Sequence, residues 1–267
     1  LTGSRRAFMQ GAKDAGAATL FVELAPFSGY VSMDPDGLNA EASVPRGKSE
    51  LGAAPLSAER KDAMAAALVA RAPRNTRVGQ EVAPLPDEPF LFCPLQVPYD
   101  SQIRVFGGWV DSIEGFIGAL AEASAHLPDG WHLRVKEHPS SRVSMSGPLE
   151  AAREASNGRI RVDNATDTFA QVRASQGVVT INSSLALQSF LLDKPVVTTG
   201  KAYFAQPGLV EPAPSQAALN AICAQAEHLD FDPDHRALLL GYLLDRYLVP
   251  FAAGSLNEDR VLEKLNR

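Results

Sequence analysis

Cysteine is scarce in this chain of 267 residues. Only Cys93 and Cys223 occur, and they form neither a CxxC pair nor a cluster with histidine. A disulfide framework needs more cysteines than this, and a structural zinc site needs Cys or His ligands at short spacing. We therefore expect neither disulfides nor a structural zinc ion.

Positive charge and long apolar runs are also lacking. The 25 Lys and Arg residues are outnumbered by 31 Asp and Glu residues, for a net charge of −6. A nucleic-acid partner is therefore not expected, although a local basic pocket could still hold one small anion. No apolar run reaches the length of a membrane span, and residues 1–20 lack a signal-peptide core. The sequence predicts a cytoplasmic protein, for which any contact with the inner membrane is peripheral.

Three common motifs are absent as well. No GxxxxGK[ST] phosphate loop occurs, no GxGxxG follows a predicted strand, and there is no GxSxG elbow. These absences exclude the P-loop, the dinucleotide fingerprint and the simplest α/β-hydrolase interpretation.

The chain is organised in four stretches. Residues 1–72 indicate a partial N-terminal α/β domain, and residues 73–89, rich in Pro and charge, a linker. Residues 90–230 indicate a doubly wound α/β domain, and residues 231–267 helices that pack back across the domains. Because the chain starts at Leu1 inside a predicted helix, we expect further sequence upstream.

Strands and helices alternate regularly from residue 90 onward. The pattern predicts strands at 90–95, 131–136, 159–162, 177–181 and 195–198, with helices at 109–127, 149–155, 184–192 and from 167. Such alternation is typical of a parallel, doubly wound sheet. In the strand order 3-2-1-4-5, the first and fourth of these strands are neighbours at the switch point, where such sheets bind ligands.

Polar residues follow three of these strands. Gln96, Asp100, Ser101 and Gln102 come after the first strand. His138, next to Lys136, comes after the second, and the turn at Asn182 comes after the fourth. We expect the three loops to share one crevice.

Each candidate has a plainer alternative. The first loop is also compatible with an ordinary turn built on Pro, Asp and Ser. His138 is a candidate phosphate donor or proton relay, or else a structural histidine. Ser183 and Ser184 are expected at a helix N-terminus, where hydroxyls can bind an anion or simply cap the helix.

A carboxylate further upstream is the candidate general base. Glu23 follows the first predicted strand directly, and such a group can act as a general base or stabilise developing positive charge. The nearby Asp34-Pro35-Asp36-Gly37 is more typical of a turn.

Several of these motifs together carry a resemblance to a known family. They are the segments at 21–23, 29–34, 37–39, 94–102, 136–139, 180–184 and 241–247. In this combination the chain resembles the capsule polysaccharide biosynthesis proteins, which include Kdo transferases of bacterial capsule assembly. The likeness runs from about residue 20 to about residue 250.

The resemblance implies a GT-B-like α/β fold with a doubly wound, Rossmann-like C-terminal domain and a reduced N-terminal domain. It implies a CMP-activated Kdo donor held by the C-terminal domain, a lipid-linked or glycan acceptor, and no metal or permanently bound cofactor. By likeness to similar CMP-sugar transferases, His138, Pro139, Ser183 and Ser184 are donor ligands.

Two functional hypotheses result, with a third left open. The first is a glycosyltransferase that moves Kdo or a related acidic sugar, with Glu23 and His138 as catalytic residues. The second is a non-catalytic nucleotide-sugar or glycan-binding component of the capsule machinery. A GT-B-like sugar epimerase would have the same kind of sheet and bind its nucleotide in the same way. No acid/base set for an epimerase can be identified in the sequence.

Overall fold

The computed structural model describes residues 3–70, 85, 87–252 and 254–265. The strands in these ranges are β1 Phe21–Leu24, β2 Tyr30–Asp34, β3 Phe90–Pro94, β4 His132–Lys136, β5 Ile160–Val162, β6 Gly177–Thr180, β7 Val196–Thr198, β8 Glu211–Pro212, β9 Leu248–Ala252 and β10 Ser255–Leu256. The helices are α1 Gly3–Asp14, α2 Ala58–Ala66, α3 Ser101–Phe106, α4 Ile113–Ser124, α5 Ser146–Ala155, α6 Thr168–Ala174, α7 Leu185–Phe190, α8 Gln216–Ala224, α9 Pro233–Tyr242 and α10 Glu258–Leu265. Short 3₁₀ turns cover Asn39–Glu41, Lys48–Glu50 and Ala226–His228, and a π-helical turn, Leu243–Tyr247, follows α9 directly.

The chain folds into two compact units. Unit 1 contains residues 1–58, 202–204 and 233–267, and unit 2 contains residues 59–201 and 205–232. The predicted linker at 73–89 lies almost wholly outside the described residues. No helix in the described ranges combines the length and hydropathy that a bilayer crossing requires.

Unit 2 is built on a six-stranded parallel sheet. Its strand order is β5-β4-β3-β6-β7-β8, so β3 pairs with both β4 and β6. This is the doubly wound order, and it confirms the prediction that the first and fourth strands of this region are neighbours. The centre of the sheet is buried: β3 and β6 are mainly apolar, whereas β4 alternates the apolar Leu133 and Val135 with buried His132, Arg134 and Lys136. Helices pack on β4 and β6.

Helix α4 shows how the sequence sets a helix boundary. The Ser112 hydroxyl accepts the N–H of Gly115 at 3.0 Å, so the helix starts at Ile113 rather than at the predicted residue 109. Trp109 lies in the preceding turn, where its indole N–H donates to the carbonyl of Ala213 at 2.7 Å. The apolar stripe of α4 is buried against the sheet, as its spacing predicts.

Two short helices also differ from the sequence prediction. Residues 101–106 form α3, although this stretch was expected to be loop, and α7 ends at Phe190 rather than at residue 192. The Asp100 carboxylate accepts the N–H of Gln102 at 2.9 Å and so starts α3. Ile103 then provides its buried contact.

Unit 1 contains a four-stranded antiparallel sheet in the order β1-β2-β9-β10. Strand β2 lies in a stretch predicted as loops, and β9 and β10 lie in a tail predicted as helices only. Both predictions were wrong. Strands β2 and β9 are far apart in sequence but pair in the folded chain, with Val31 opposite Val249. Local periodicity cannot reveal a pairing of such sequence separation.

A buried carboxylate organises the loop after β2. Asp34 is fully buried and accepts N–H bonds from Asp36 at 2.8 Å, Gly37 at 3.1 Å and Ser43 at 2.7 Å. Burial pushes the pKa of Asp34 upward, but these bonds and one from the Ser43 hydroxyl outweigh it and hold the pKa below its usual value. Burial and the nearby Asp34 charge raise the pKa of the Tyr247 hydroxyl. The predicted turn is therefore also a polar anchor of unit 1.

Candidate functional site

Three polar loops lie side by side along one edge of the unit 2 sheet. They follow β4, β3 and β6, which are consecutive neighbours and run parallel, so their carboxyl ends share one edge. The structure thus brings together the three predicted loops, 95–102, 137–141 and 181–184. In open α/β sheets this edge, beside the switch point, is where ligands bind.

An amide pair joins the first and third loops. The Gln96 side-chain amide donates to the Asn182 side-chain oxygen at 2.9 Å, and the Asn182 backbone N–H donates to Gln96 Oε1 at 3.2 Å. Asn182 Nδ2 also faces the carbonyls of Gln102, Phe106 and Lys201 at 3.0–3.3 Å. Because Asn182 is only 2% exposed, these amides brace the edge from inside.

Lys136 lies beneath the second loop. Its side chain is buried, and Nζ donates to the carbonyls of Asn164 at 2.8 Å and Thr166 at 2.7 Å. Burial lowers the pKa of this amine, while the charges of Asp163 and Asp167 oppose that shift. Lys136 therefore ties the end of β4 to the loop after β5.

Glu137 forms a second tie to the same loop. Its backbone N–H donates to Asn164 Oδ1 at 2.8 Å, and its carboxylate accepts from Asn164 Nδ2 at 2.9 Å. The other carboxylate oxygen accepts the N–H of Met145 at 3.0 Å, just before α5. Sequence reasoning missed Asn164, although an Asp-Asn pair at the end of a strand is a usable signal.

His138 is held differently from its two neighbours. Its Nδ1 accepts the N–H of Ser140 at 3.1 Å, and its carbonyl accepts the N–H of Ser141 at 2.9 Å. An accepting Nδ1 places the proton of the neutral ring on Nε2. The residue is half-buried, as is Pro139. The second loop thus holds the imidazole in one tautomer.

Two adjacent serines occupy the third loop in different ways. The Ser183 hydroxyl accepts the N–H of Leu185 at 3.2 Å, and the Ser183 N–H donates to Thr180 Oγ1 at 3.3 Å. Ser184 is exposed and its hydroxyl makes no capping bond to α7. Capping therefore falls to Ser183, while Ser184 presents its hydroxyl at the surface.

The remaining predicted residues have separate places. Asp100 caps α3, and Ser101 and Gln102 are half-buried in its first turn. Glu23 is exposed on β1 in unit 1, opposite Ser32 in the strand register. Among the described residues no group of three or more His, Cys, Asp or Glu side chains is arranged to hold a metal ion.

The sequence of this chain is similar to a family model and to known proteins. A family model described as capsule polysaccharide biosynthesis protein matches residues 52–230, which span nearly all of unit 2. Protein FixF of Sinorhizobium fredii is 30% identical over 234 residues, which are 88% of this chain and 55% of FixF. The capsule polysaccharide modification protein LipB of Neisseria meningitidis is 27% identical over 127 residues, which are 46% of this chain and 30% of LipB. The chain therefore spans about half or less of these relatives.

Two solved structures share the fold. The KpsC β-Kdo 2,7 transferase of Thermosulfurimonas dismutans has a TM-score of 0.61 at 15% identity, over 96% of this chain and 82% of that one. The β-Kdo 2,4 transferase of the same KpsC has a TM-score of 0.58 at 16% identity, over 99% and 84% of the two chains. These likenesses confirm the predicted α/β fold of GT-B type. Because the family model covers more than half of the chain, the protein belongs to the capsule polysaccharide biosynthesis protein family.

Proposed function

We propose that this chain binds a CMP-activated acidic sugar, Kdo or a close relative, and transfers it to a lipid-linked or glycan acceptor. Family membership supports a role in capsule polysaccharide biosynthesis. The observation that carries the proposal is the fixed imidazole of His138 at the carboxyl end of β4, one strand from the loop after β3 and two from Ser184. This edge offers hydrogen-bond donors to an anion at the switch point of the sheet.

The proposed chemistry depends on the leaving group. When the bond between the sugar carbon and the CMP phosphate breaks, the electron pair remains on a phosphate oxygen, which gains negative charge. The N–H at His138 Nε2 and the Ser184 hydroxyl are donors of the type that stabilises such charge. The Ser183 hydroxyl oxygen accepts the N–H of Leu185, and its O–H is a further donor toward the same phosphate. Pro139 limits the backbone freedom of the loop that carries His138.

A base must accept the proton of the acceptor hydroxyl as the new glycosidic bond forms. Glu23 is our candidate, because its carboxylate is exposed on β1 and carboxylates commonly perform this step. The carboxylates in the loops after β3 and β4 are less suited to it, since Asp100 caps a helix and Glu137 holds Asn164 and the N–H of Met145.

The engagement of Asp100 and Glu137 favours a second candidate function. Both acids in the loops after β3 and β4 are engaged in holding the protein together. If Glu23 is not the base, the loops after β3 and β4 offer hydrogen-bond donors for a nucleotide sugar, while their two carboxylates already hold other groups. The chain would then be a non-catalytic nucleotide-sugar or glycan-binding component of capsule assembly.

Two measurements, first of binding and then of turnover, test these candidates. Calorimetric titration with CMP, using UMP and ADP as comparisons, tests for the donor site. We expect selective CMP binding that is strongly weakened in a Ser183→Ala/Ser184→Ala variant and unchanged in Ser28→Ala, which alters an exposed serine of unit 1. If the chain binds none of these nucleotides, that result would contradict both the transferase and a nucleotide-sugar-binding component.

Turnover then separates the transferase from the binding component. The assay measures CMP release from CMP-Kdo in the presence of a lipid-linked glycan acceptor. We expect release by the wild-type chain and its loss in Glu23→Gln, with CMP affinity retained. Tight CMP binding without any release would favour the binding component instead.

A further inference from the structure

The loop after β3 contains a tight turn with an unusual residue at its second central position. The N–H of Asp100 donates to the carbonyl of Val97 at 3.2 Å, so Pro98 and Tyr99 are the central residues of a β-turn. The φ angle of Tyr99 is 64°, in the left-handed region. A turn with Pro first and a positive φ second is of the type that favours Gly or Asn at that second place.

Tyr99 differs from the other residues with this backbone conformation. Among the described residues, the non-glycine positions with positive φ are Asn39, Tyr99, Asn157 and Asp193. Asn and Asp tolerate the left-handed region because their short polar side chains bond to the local backbone, whereas a bulky side chain is strained there. Tyr99 thus carries a backbone cost that a glycine or asparagine would not.

Among the described residues of unit 2, burial of the Tyr99 ring does not offset this cost. The Tyr99 side chain is 68% exposed, so its ring adds little to the core, whereas the preceding Pro98 is buried. Strain at a residue that the core does not need is concentrated in proteins at sites where ligands bind. An exposed aromatic ring also offers a flat apolar face that a second ring can cover.

The position of Tyr99 identifies the ring that would cover it. Strand β3 lies between β4 and β6, so this loop lies between the one that carries His138 and the one that carries Ser184. Those flanking loops are the proposed contacts of the donor phosphate. A nucleotide bound there has one flat aromatic group, its base, and bases stack on tyrosine rings irrespective of their identity.

We propose that Tyr99 is the stacking platform for the nucleobase of the donor. This inference rests on the proposed function, because it needs a nucleotide at the same edge. It assigns Tyr99 to affinity rather than to base selectivity, because stacking alone distinguishes pyrimidines poorly. CMP and UMP should therefore lose affinity by the same factor when the ring is removed.

The test combines thermal unfolding with calorimetric titration of CMP and UMP. Tyr99→Phe keeps both the ring and the strain, and we expect the affinity and Tm of the wild type. Tyr99→Asn and Tyr99→Gly remove the ring and relieve the strain. In both we expect a higher Tm together with about a tenfold weaker affinity for each nucleotide.

Asn157→Gly is the matched control, since Asn157 is exposed, has a φ of 51°, and lies after α5, outside the proposed site. It should leave CMP affinity unchanged. Wild-type binding with affinity retained within twofold in Tyr99→Asn would overturn the stacking proposal alone. An equal loss of affinity for ribose 5-phosphate, which has no base, would also overturn it. Absence of any nucleotide binding by the wild type would overturn the proposed function as well.

Discussion

The two ends of β4 carry histidines in opposite circumstances. His132 begins the strand, is 1% exposed and stacks on Phe90 with ring centroids 5.4 Å apart. Within the described structure neither of its ring nitrogens has a hydrogen-bond partner. Burial, with the nearby charges of Arg161 and Arg134, lowers the pKa of His132 to about 4. His138, just beyond the other end, is half-buried and has Nδ1 fixed by a backbone N–H.

Position relative to β4 separates the environments of these two histidines. At the start of β4 the imidazole is used as a neutral aromatic ring in the core. Past the end of β4 the turn fixes its tautomer at an edge where parallel sheets bind ligands. The same residue type is structural in the first place and, in our proposal, functional in the second.

The largest expected effect comes from removing His138, the histidine to which we assign a function. We expect His138→Ala to lower the rate of CMP release from CMP-Kdo by about 10³-fold, because a donor to the leaving phosphate is lost. The Tm should change little. His126→Ala, at an exposed histidine after α4, is the control and should retain full activity. Near-normal release by His138→Ala would remove the contrast between the two strand ends.

The structural histidine should instead affect stability as a function of pH. Its pKa of about 4 in the folded state lies below the 6.5 of an unperturbed histidine. Between these values the unfolded chain takes up the proton and the folded chain does not. The free energy of unfolding should therefore fall by up to about 3 kcal/mol as the pH drops from 6.5 to 4.

Chemical denaturation at several pH values, on the wild type and on His132→Phe, measures this contribution. The variant keeps an aromatic ring and should lose that part of the pH dependence, whereas His126→Gln should retain it. The buried carboxylate of Asp34, whose pKa is lowered, adds a loss at more acidic pH that both chains share. Identical slopes for the wild type and His132→Phe would contradict the assignment.

A smaller effect is expected from the ties beneath His138. Glu137→Gln keeps the side-chain size but replaces a charged acceptor of the Asn164 amide and the Met145 N–H with a neutral one. We expect the free energy of unfolding to fall by about 1–2 kcal/mol and CMP affinity to fall several-fold. Glu154→Gln, an exposed position on α5, is the control. Loss of CMP affinity without any loss of stability would identify Glu137 as a direct ligand rather than a support.

The smallest effect is expected at the exposed serine. Ser184→Ala removes a hydroxyl that makes no capping bond, so stability should stay within about 0.5 kcal/mol of the wild type. CMP affinity should weaken by about fivefold, the effect of one hydrogen bond to a charged group. Ser183→Ala should lower stability more, since Ser183 accepts the Leu185 N–H. The reverse order of these stabilities would contradict the roles assigned to the two serines.

The sequence predicts the parallel sheet well, because alternating strands and helices are local patterns. The strand order follows from assigning the chain to one doubly wound class and not from the periodicity itself. Predictions from the sequence fail where pairing is distant in sequence, as for β2 with β9, and where a helix is as short as α3. For the site, the sequence locates the loops but not the use of each side chain. Lys136 and Asn182 point into the protein because their partners lie on other loops, which only the folded chain brings together.

The most direct test of the contrast between the two strand ends is ¹⁵N histidine NMR of the full chain during titration with CMP. The chain has five histidines, and spectra of His132→Phe and His138→Ala assign the two that matter. We predict that the Nε2 signal of His138 shifts on CMP binding and that the signals of His132 do not. CMP binding that leaves His138 unmoved, or that shifts His132 instead, would contradict the donor site at the carboxyl end of β4.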